Sequence, residues 1–141
     1  MKSLIEQYIE KNHFGKLLGM NFEVMEPGIV RYKLDIKKEH LATPLAAHGG
    51  CLAALIDATM GVGALSLVEK HFHVVSTLEI KVSFLESVLK GDNLVAISKI
   101  IREGRKIIFA EAEIKNQNHQ IVAKGSGTFF VVDGLKAGYS K

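Results

Sequence analysis

A histidine, two glycines and an aspartate hold the most chemistry in this chain. His48-Gly49-Gly50 opens a run that stays apolar or small to Val68, and Asp57, nine residues after His48, is the one carboxylate inside it. The first turn of a helix offers backbone N–H groups without intrahelical partners and the positive end of the helix dipole, and glycine lets a ligand oxygen approach them closely. A carbonyl oxygen gaining negative charge would be stabilised there. A carboxylate between Ile56 and Ala58 must be hydrogen-bonded, paired, or turned toward a cleft or subunit interface, because burial without partners is costly. A hydroxyl such as that of Thr59 is one partner within reach. Oxyanion donors, a carboxylate in an apolar cleft and a nearby hydroxyl are the parts that acyl-transfer hydrolysis requires.

Other reactive side chains are weaker candidates. Cys51 lies in the expected first turn, where a thiol can be acidified into a nucleophile, although a lone cysteine in an apolar helix is more often core filler. It is the only cysteine, so no intrachain disulfide can form and a reducing, cytoplasmic setting fits. His71 and His73 share one side of a strand start but lack further metal ligands at defined spacing, so no metal site is expected. Ser66 has no nucleophile-elbow context, and Gly61-Val62-Gly63 sits inside the helical run rather than in a phosphate-binding loop.

The elements that position these residues follow from periodicity. Leu4, Ile5, Tyr8 and Ile9 predict a short amphipathic helix from residue 3 to about 12, with Ser3 and Glu6 spaced as a capping box and Asn12 to Gly15 ending or bending it. Residues 20–26 alternate up to the turn at Pro27-Gly28, and Val30, Tyr32, Leu34 and Ile36 face one way in the strand that follows. Residues 37–47, with Thr43-Pro44, form a loop that delivers the chain to the apolar helix. Val74, Ser76, Leu78, Ile80, Val82 and Phe84 are then expected on one face of a long strand, with Thr77, Glu79, Lys81 and Ser83 on the other. Strands over 93–102, around 108–114 and over 121–131 complete the pattern.

A helix that is apolar all round is a buried helix. About twenty such residues could also cross a bilayer, but Asp57 near the middle and the amphipathic strands on either side argue against a membrane. The expected architecture is α+β, a single domain over residues 1–141 in which an antiparallel sheet curls around a central helix. The 141 residues are 48% hydrophobic and 23% charged with a formal net charge of +3, and the basic residues are scattered rather than gathered into a stripe. That pattern is weak for nucleic acid and suits an anionic small molecule equally well.

The loop, the His48-Gly49-Gly50 helix start, Asp57 and the strand Ser76-Thr77-Leu78-Glu79-Ile80 resemble the hotdog-fold thioesterase superfamily, in particular its PaaI-like branch acting on acyl-CoA. The similarity runs from about Gly19 to Val132 and includes the turn Arg102-Glu103-Gly104-Arg105. The resemblance implies a hotdog fold and hydrolysis of an acyl-CoA thioester by water, with no cofactor. It implies that the Gly49 N–H polarises the thioester carbonyl, assisted by His48 and Gly50, and that Asp57 acts as general base or nucleophile. Thr77, with Ser76 as its neighbour, would position the water or the acid. It also implies a homodimer with active sites shared across the interface, commonly paired into a homotetramer.

One departure stands out. Many relatives have an asparagine about six residues before the histidine, where this chain has Ala42, so either Thr43 or the His48 ring would take over its role, or the carbonyl would be held by the backbone alone. Arg102, Arg105 and Lys106 could meet the phosphates of coenzyme A. Leu52, Leu55, Ile56, Met60 and Phe84 either line an acyl tunnel or pack the core. A non-catalytic acyl-CoA binding protein and an enoyl-CoA hydratase or dehydratase on the same fold are the alternative expectations.

Overall fold

The structure, a computed structural model, describes all residues from Met1 to Lys141. Helix α1, Leu4–Lys11, begins with the predicted capping box: Ser3 Oγ accepts from the Glu6 N–H, and the Glu6 carboxylate accepts from the Ser3 N–H. At Asn12 the chain bends into a second helix that the periodicity did not reveal, α2, His13–Leu18. The Asn12 side chain caps it by accepting from the Gly15 N–H at 3.1 Å. Gly19, at φ 81°, stops it in the left-handed conformation that glycine adopts without strain.

Strands β1, Asn21–Glu26, and β2, Ile29–Asp35, form a hairpin across Pro27-Gly28. The central helix α3 spans Gly49–Val68. Then follow β3, His73–Phe84; β4, Asn93–Glu103; β5, Ile107–Lys115; and β6, Ile121–Asp133. All pairings are antiparallel and give one six-stranded sheet in the order β1-β2-β4-β5-β6-β3. The sheet wraps α3, which is the expected α+β hotdog architecture.

Helix α3 packs against every strand except for its exposed flank near Asp57. Leu55, Ile56 and Met60 are fully enclosed, against Val30, Tyr32, Leu34, Ile108, Ile114 and Phe129 of the sheet. Each such side chain contributes about 1.5–3 kcal/mol by leaving water. The stretch Gly49–His71 is long and apolar enough to span a membrane, yet 67% of its most apolar window is buried inside the protein. Close helix-to-sheet approach depends on missing side chains: a Cβ at Gly63 would meet Ser98 Oγ at 2.7 Å. That hydroxyl accepts from the Val30 N–H and donates to the Gly28 carbonyl, while Ser66 Oγ accepts from the Gly28 N–H. Ser66 thus pins the β1–β2 turn onto α3 and Ser98 pins it onto β4, a structural use for Ser66.

Strand β3 departs from strict alternation. Thr77 pairs with Phe129 and Glu79 with Thr128, which leaves Leu78 as the extra residue of a bulge. Beyond an extra residue the face parity changes. Thr77, expected on the face opposite Ile80 and Val82, therefore points with them toward α3, and Leu78 is turned out, 56% exposed.

Candidate active site

The loop before α3 is built to hold the helix start. His40 is buried, accepts from the Lys37 N–H through Nδ1 and meets the Leu18 carbonyl through Nε2 at 2.7 Å. Its own carbonyl accepts from the His48 N–H at 2.7 Å, and the Ala47 N–H bonds to the Val88 carbonyl at 2.7 Å. His48 thereby reaches the N-cap with φ −68° and ψ 134°, and its Nδ1 accepts from the Gly50 N–H at 2.7 Å. An accepting Nδ1 carries no proton, so in the neutral ring the proton is on Nε2, which points away from the cap.

This arrangement separates the two glycines. The Gly50 N–H is consumed by the cap, and a Cβ at Gly50 would lie 2.9 Å from His48 Nδ1, so glycine is what lets the ring fold back. The Gly49 N–H has no acceptor within the chain. It is the free donor of the first turn, beside a cavity of about 460 Å³ lined by Ala46, Leu52, Phe84 and Val88 among others. Thr43 turns its hydroxyl onto its own loop, accepting from the Ala46 N–H at 2.9 Å and the Leu45 N–H at 3.3 Å.

Asp57 lies at a second cavity. Its Oδ1 accepts from Thr77 Oγ1 at 2.8 Å, so the bulge in β3 supplies the hydroxyl partner. Thr59, the partner suggested by proximity along the chain, bonds back to the Leu55 carbonyl instead. The Asp57 cavity has a volume of about 450 Å³, with Ser76 and Thr77 at its mouth and a lining that is mostly apolar, including Ala58, Gly61, Leu65 and Phe129. Ser76 thus reaches the same cavity as Thr77.

Gly49 and Asp57 are eight residues apart on one helix, about 12 Å along the axis at about 1.5 Å per residue. A carbonyl held within hydrogen-bond distance of the Gly49 N–H is out of reach of the same chain's Asp57. The predicted residues therefore fall into two separate clusters on each chain: His48, Gly49 and Gly50 at one end, and Asp57, Ser76 and Thr77 at the other. Arg105 belongs to neither cluster; it is exposed in the β4–β5 turn, where it forms no ion pair or side-chain hydrogen bond.

The apolar candidates divide as well. Leu55, Ile56 and Met60 are core, whereas Leu52 and Phe84 line the Gly49 cavity. Cys51 is buried, and burial pushes its thiol above the ordinary value, the opposite of what a nucleophile needs. His71 and His73 stand with ring centroids 6.4 Å apart, and no third histidine, cysteine or carboxylate joins them.

Sequence reasoning missed the tyrosines. Tyr8 of α1 and Tyr139 of the C-terminal segment line the Asp57 cavity. Tyr32 lies behind, its hydroxyl buried without a hydrogen-bond partner. Burial is the first cause that raises the pKa of each, and the Asp57 charge adds to the shift at Tyr8 and Tyr32. Tyr8 and Tyr32 were legible only as apolar-face residues, and Tyr139 lies in a segment without periodicity.

Residues 46–123 match the family model of the thioesterase superfamily. An Archaeoglobus fulgidus protein that carries the provisional name esterase is 26% identical over 134 residues, covering 94% of this chain and 84% of its own. The medium/long-chain acyl-CoA thioesterase YigI of Escherichia coli is 23% identical over 147 residues, with 93% of each chain covered. The E. coli PaaI structure shares the fold, with a TM-score of 0.85 at 22% identity over 92% of this chain and 91% of that one.

Proposed function

Because this chain belongs to the thioesterase superfamily, we propose that it hydrolyses acyl-CoA thioesters at a site that two copies of the chain complete together. The observation that carries this reading is the Thr77–Asp57 hydrogen bond inside a largely apolar cavity. The unpartnered Gly49 N–H at the far end of the same helix supports the oxyanion role, and the distance between the two supports the shared site.

In this reading the thioester carbonyl oxygen accepts from Gly49 of one copy, at the positive end of α3. The Nε2–H of His48 adds a donor that takes the role of the absent asparagine, while Gly50 keeps the His48 ring in place and Thr43 holds the loop. Thr77 fixes one oxygen of Asp57 from the other copy, so that the second oxygen faces a water. The water oxygen attacks the carbonyl carbon as its proton passes to Asp57, and the negative charge gathers on the oxygen held at Gly49. The C–S bond then breaks, the carbonyl reforms, and the leaving thiolate takes the proton from Asp57. One thioester and one water give one carboxylic acid and one thiol.

Strand β3 supports the dimer. It is a twelve-residue edge strand with Leu78 and Phe84 more than half exposed, and a long apolar edge invites a pairing partner. Two such dimers would meet through the outer sheet face, where Ile97 is exposed, to give a tetramer. Arg105, with Arg102 and Lys106, would meet the coenzyme A phosphates. The single unpaired thiol suits a cytoplasmic setting.

The test is thiol release from short, medium, long and aromatic acyl-CoAs by the native protein and by Asp57→Ala. Turnover that collapses in a folded, dimeric variant supports the reading. Binding without turnover by the native protein overturns it in favour of a binding protein, and equal turnover by both proteins removes Asp57 from the chemistry. A single turnover in heavy-oxygen water tests for attack by Asp57: label in its carboxylate requires a mixed anhydride opened at the Asp57 carbon, whereas a general base leaves that carboxylate unlabelled.

A further inference from the structure

We propose that the C-terminal segment Leu135–Lys141 is a strap closing the far end of the Asp57 cavity, and that Tyr139, fixed by the pairing of Gln7 with the neighbouring Ser140, limits the length of the acyl group. This rests on the thioesterase reading of the Asp57 cavity.

The cavity has a direction. On α3 its lining runs from Asp57 through Ala58, Gly61 and Val62 to Leu65. That is about 12 Å along the helix, close to the reach of an extended chain of roughly ten carbons with C–C bonds of about 1.5 Å. The reacting carbonyl must sit at Asp57, so the acyl tail points toward Leu65. Val132 and Tyr139, with Tyr8 from α1, pack against the cluster that contains Leu65, and Ala137 of the same segment joins the lining.

The segment that provides this end is tied down at both sides. Asp133 Oδ1 accepts from the Leu135 and Lys136 N–H groups, and the Tyr139 N–H bonds to the Gly134 carbonyl at 2.9 Å. Gly138, at φ 91°, turns the chain where other residues would be strained. At its end, Gln7 makes a reciprocal pair with Ser140: Nε2 donates to the Ser140 carbonyl at 2.6 Å, and Oε1 accepts from the Ser140 N–H at 3.0 Å. Gln7 is only 8% exposed, an unusual burial for a glutamine on a surface helix. Nε2 also donates to the Lys2 carbonyl at 3.3 Å, but Oε1 has only the Ser140 N–H, so this buried amide would lose its acceptor bond and its shorter donor bond if the segment left. Lys11 adds a contact, its ammonium 5.9 Å from the centre of the Tyr139 ring.

The chemistry that fits is an unbranched acyl group of medium length, ending against two aromatic rings. The probes are non-hydrolysable S-hexyl-, S-decyl- and S-hexadecyl-CoA thioethers, with Kd measured by calorimetry on the native protein, Tyr139→Ala and Gln7→Ala. The native protein is expected to bind decyl more tightly than both hexyl and hexadecyl. Each variant is expected to improve hexadecyl relative to decyl by about tenfold or more, the scale of a misfit in an apolar pocket. The proposal is overturned if the native protein binds hexadecyl as tightly as decyl, a comparison that needs no variant to fold. It is also overturned if no thioether binds, or if variants with native thermal midpoints keep the native preference. Thioethers are never turned over, so the length preference can hold while thiol release fails; that combination would reject the thioesterase reading and leave the strap standing.

Discussion

Thr77 donates to Asp57 across the gap between β3 and α3 at 2.8 Å, and it does so because Leu78 is bulged out of the strand. Threonine at this position is thereby the device that orients the carboxylate. Thr77→Ala is expected to lower kcat by up to about 100-fold through misorientation, with a smaller change in KM, and Thr77→Ser to restore most of it. Asp57→Asn keeps the shape but cannot take a proton, so a loss of at least about 100-fold is expected in steady-state thiol release. Native-like kcat in Thr77→Ala would remove the orienting role.

Gly49 offers an unusually clean deletion. It is the first helical residue after His48, a place where proline fits, and His48 already has the extended backbone that a following proline demands. Gly49→Pro removes the N–H and is expected to lower kcat by about 100- to 1000-fold, with near-native helix content by circular dichroism. The new ring must displace Phe84, whose Cζ lies 3.3 Å from the added Cβ.

A shared site predicts complementation. Asp57→Ala and Gly49→Pro are each inactive alone, but a mixed dimer rebuilds one complete site from the intact Gly49 of one copy and the intact Asp57 of the other. Random exchange of subunits should recover about a quarter of native activity, as expected for a two-fold interface. No recovery after demonstrated exchange would place the whole site on one chain.

His48 has a structural and a chemical end. His48→Ala loses the cap on the Gly50 N–H and should destabilise the protein by about 1 kcal/mol in urea titration. His48→Asn should restore the cap and the stability without restoring kcat, because asparagine lacks the outward Nε2–H. Equal recovery of both would make His48 a cap only.

Alkaline pH should weaken the fold through the tyrosines. Burial holds the protons on Tyr8, Tyr32 and Tyr139 above their ordinary value of 10.0. Above that value the unfolded chain releases these protons first, so it binds fewer than the folded chain and stability falls as pH rises. Below it the contribution is fully present. Thermal midpoints should decline from about pH 10 upward, and phenolate absorbance should rise together with unfolding; early phenolate in the folded protein would contradict the burial.

The sequence by itself determined the buried helix, the capping box of α1 and the alternation of most strands, because these follow from local periodicity and backbone chemistry. His48, Gly49 and Asp57 were legible for the same reason: a donor-rich helix start and an isolated carboxylate are unusual in an apolar run. Helix α2 was not, since six residues with an internal glycine have too short a period to read. The facing of Thr77 was decided by one extra residue in the β3–β6 pairing, and a bulge arises from the register of two distant strands rather than from either one. The roles of Tyr8, Tyr139 and Gln7 also came only from tertiary structure, because residues 133 positions apart meet only once the sheet has closed around the helix. Likewise, spacing singled out His48-Gly49-Gly50 and Asp57, but the rigid length of α3 placed them at different cavities.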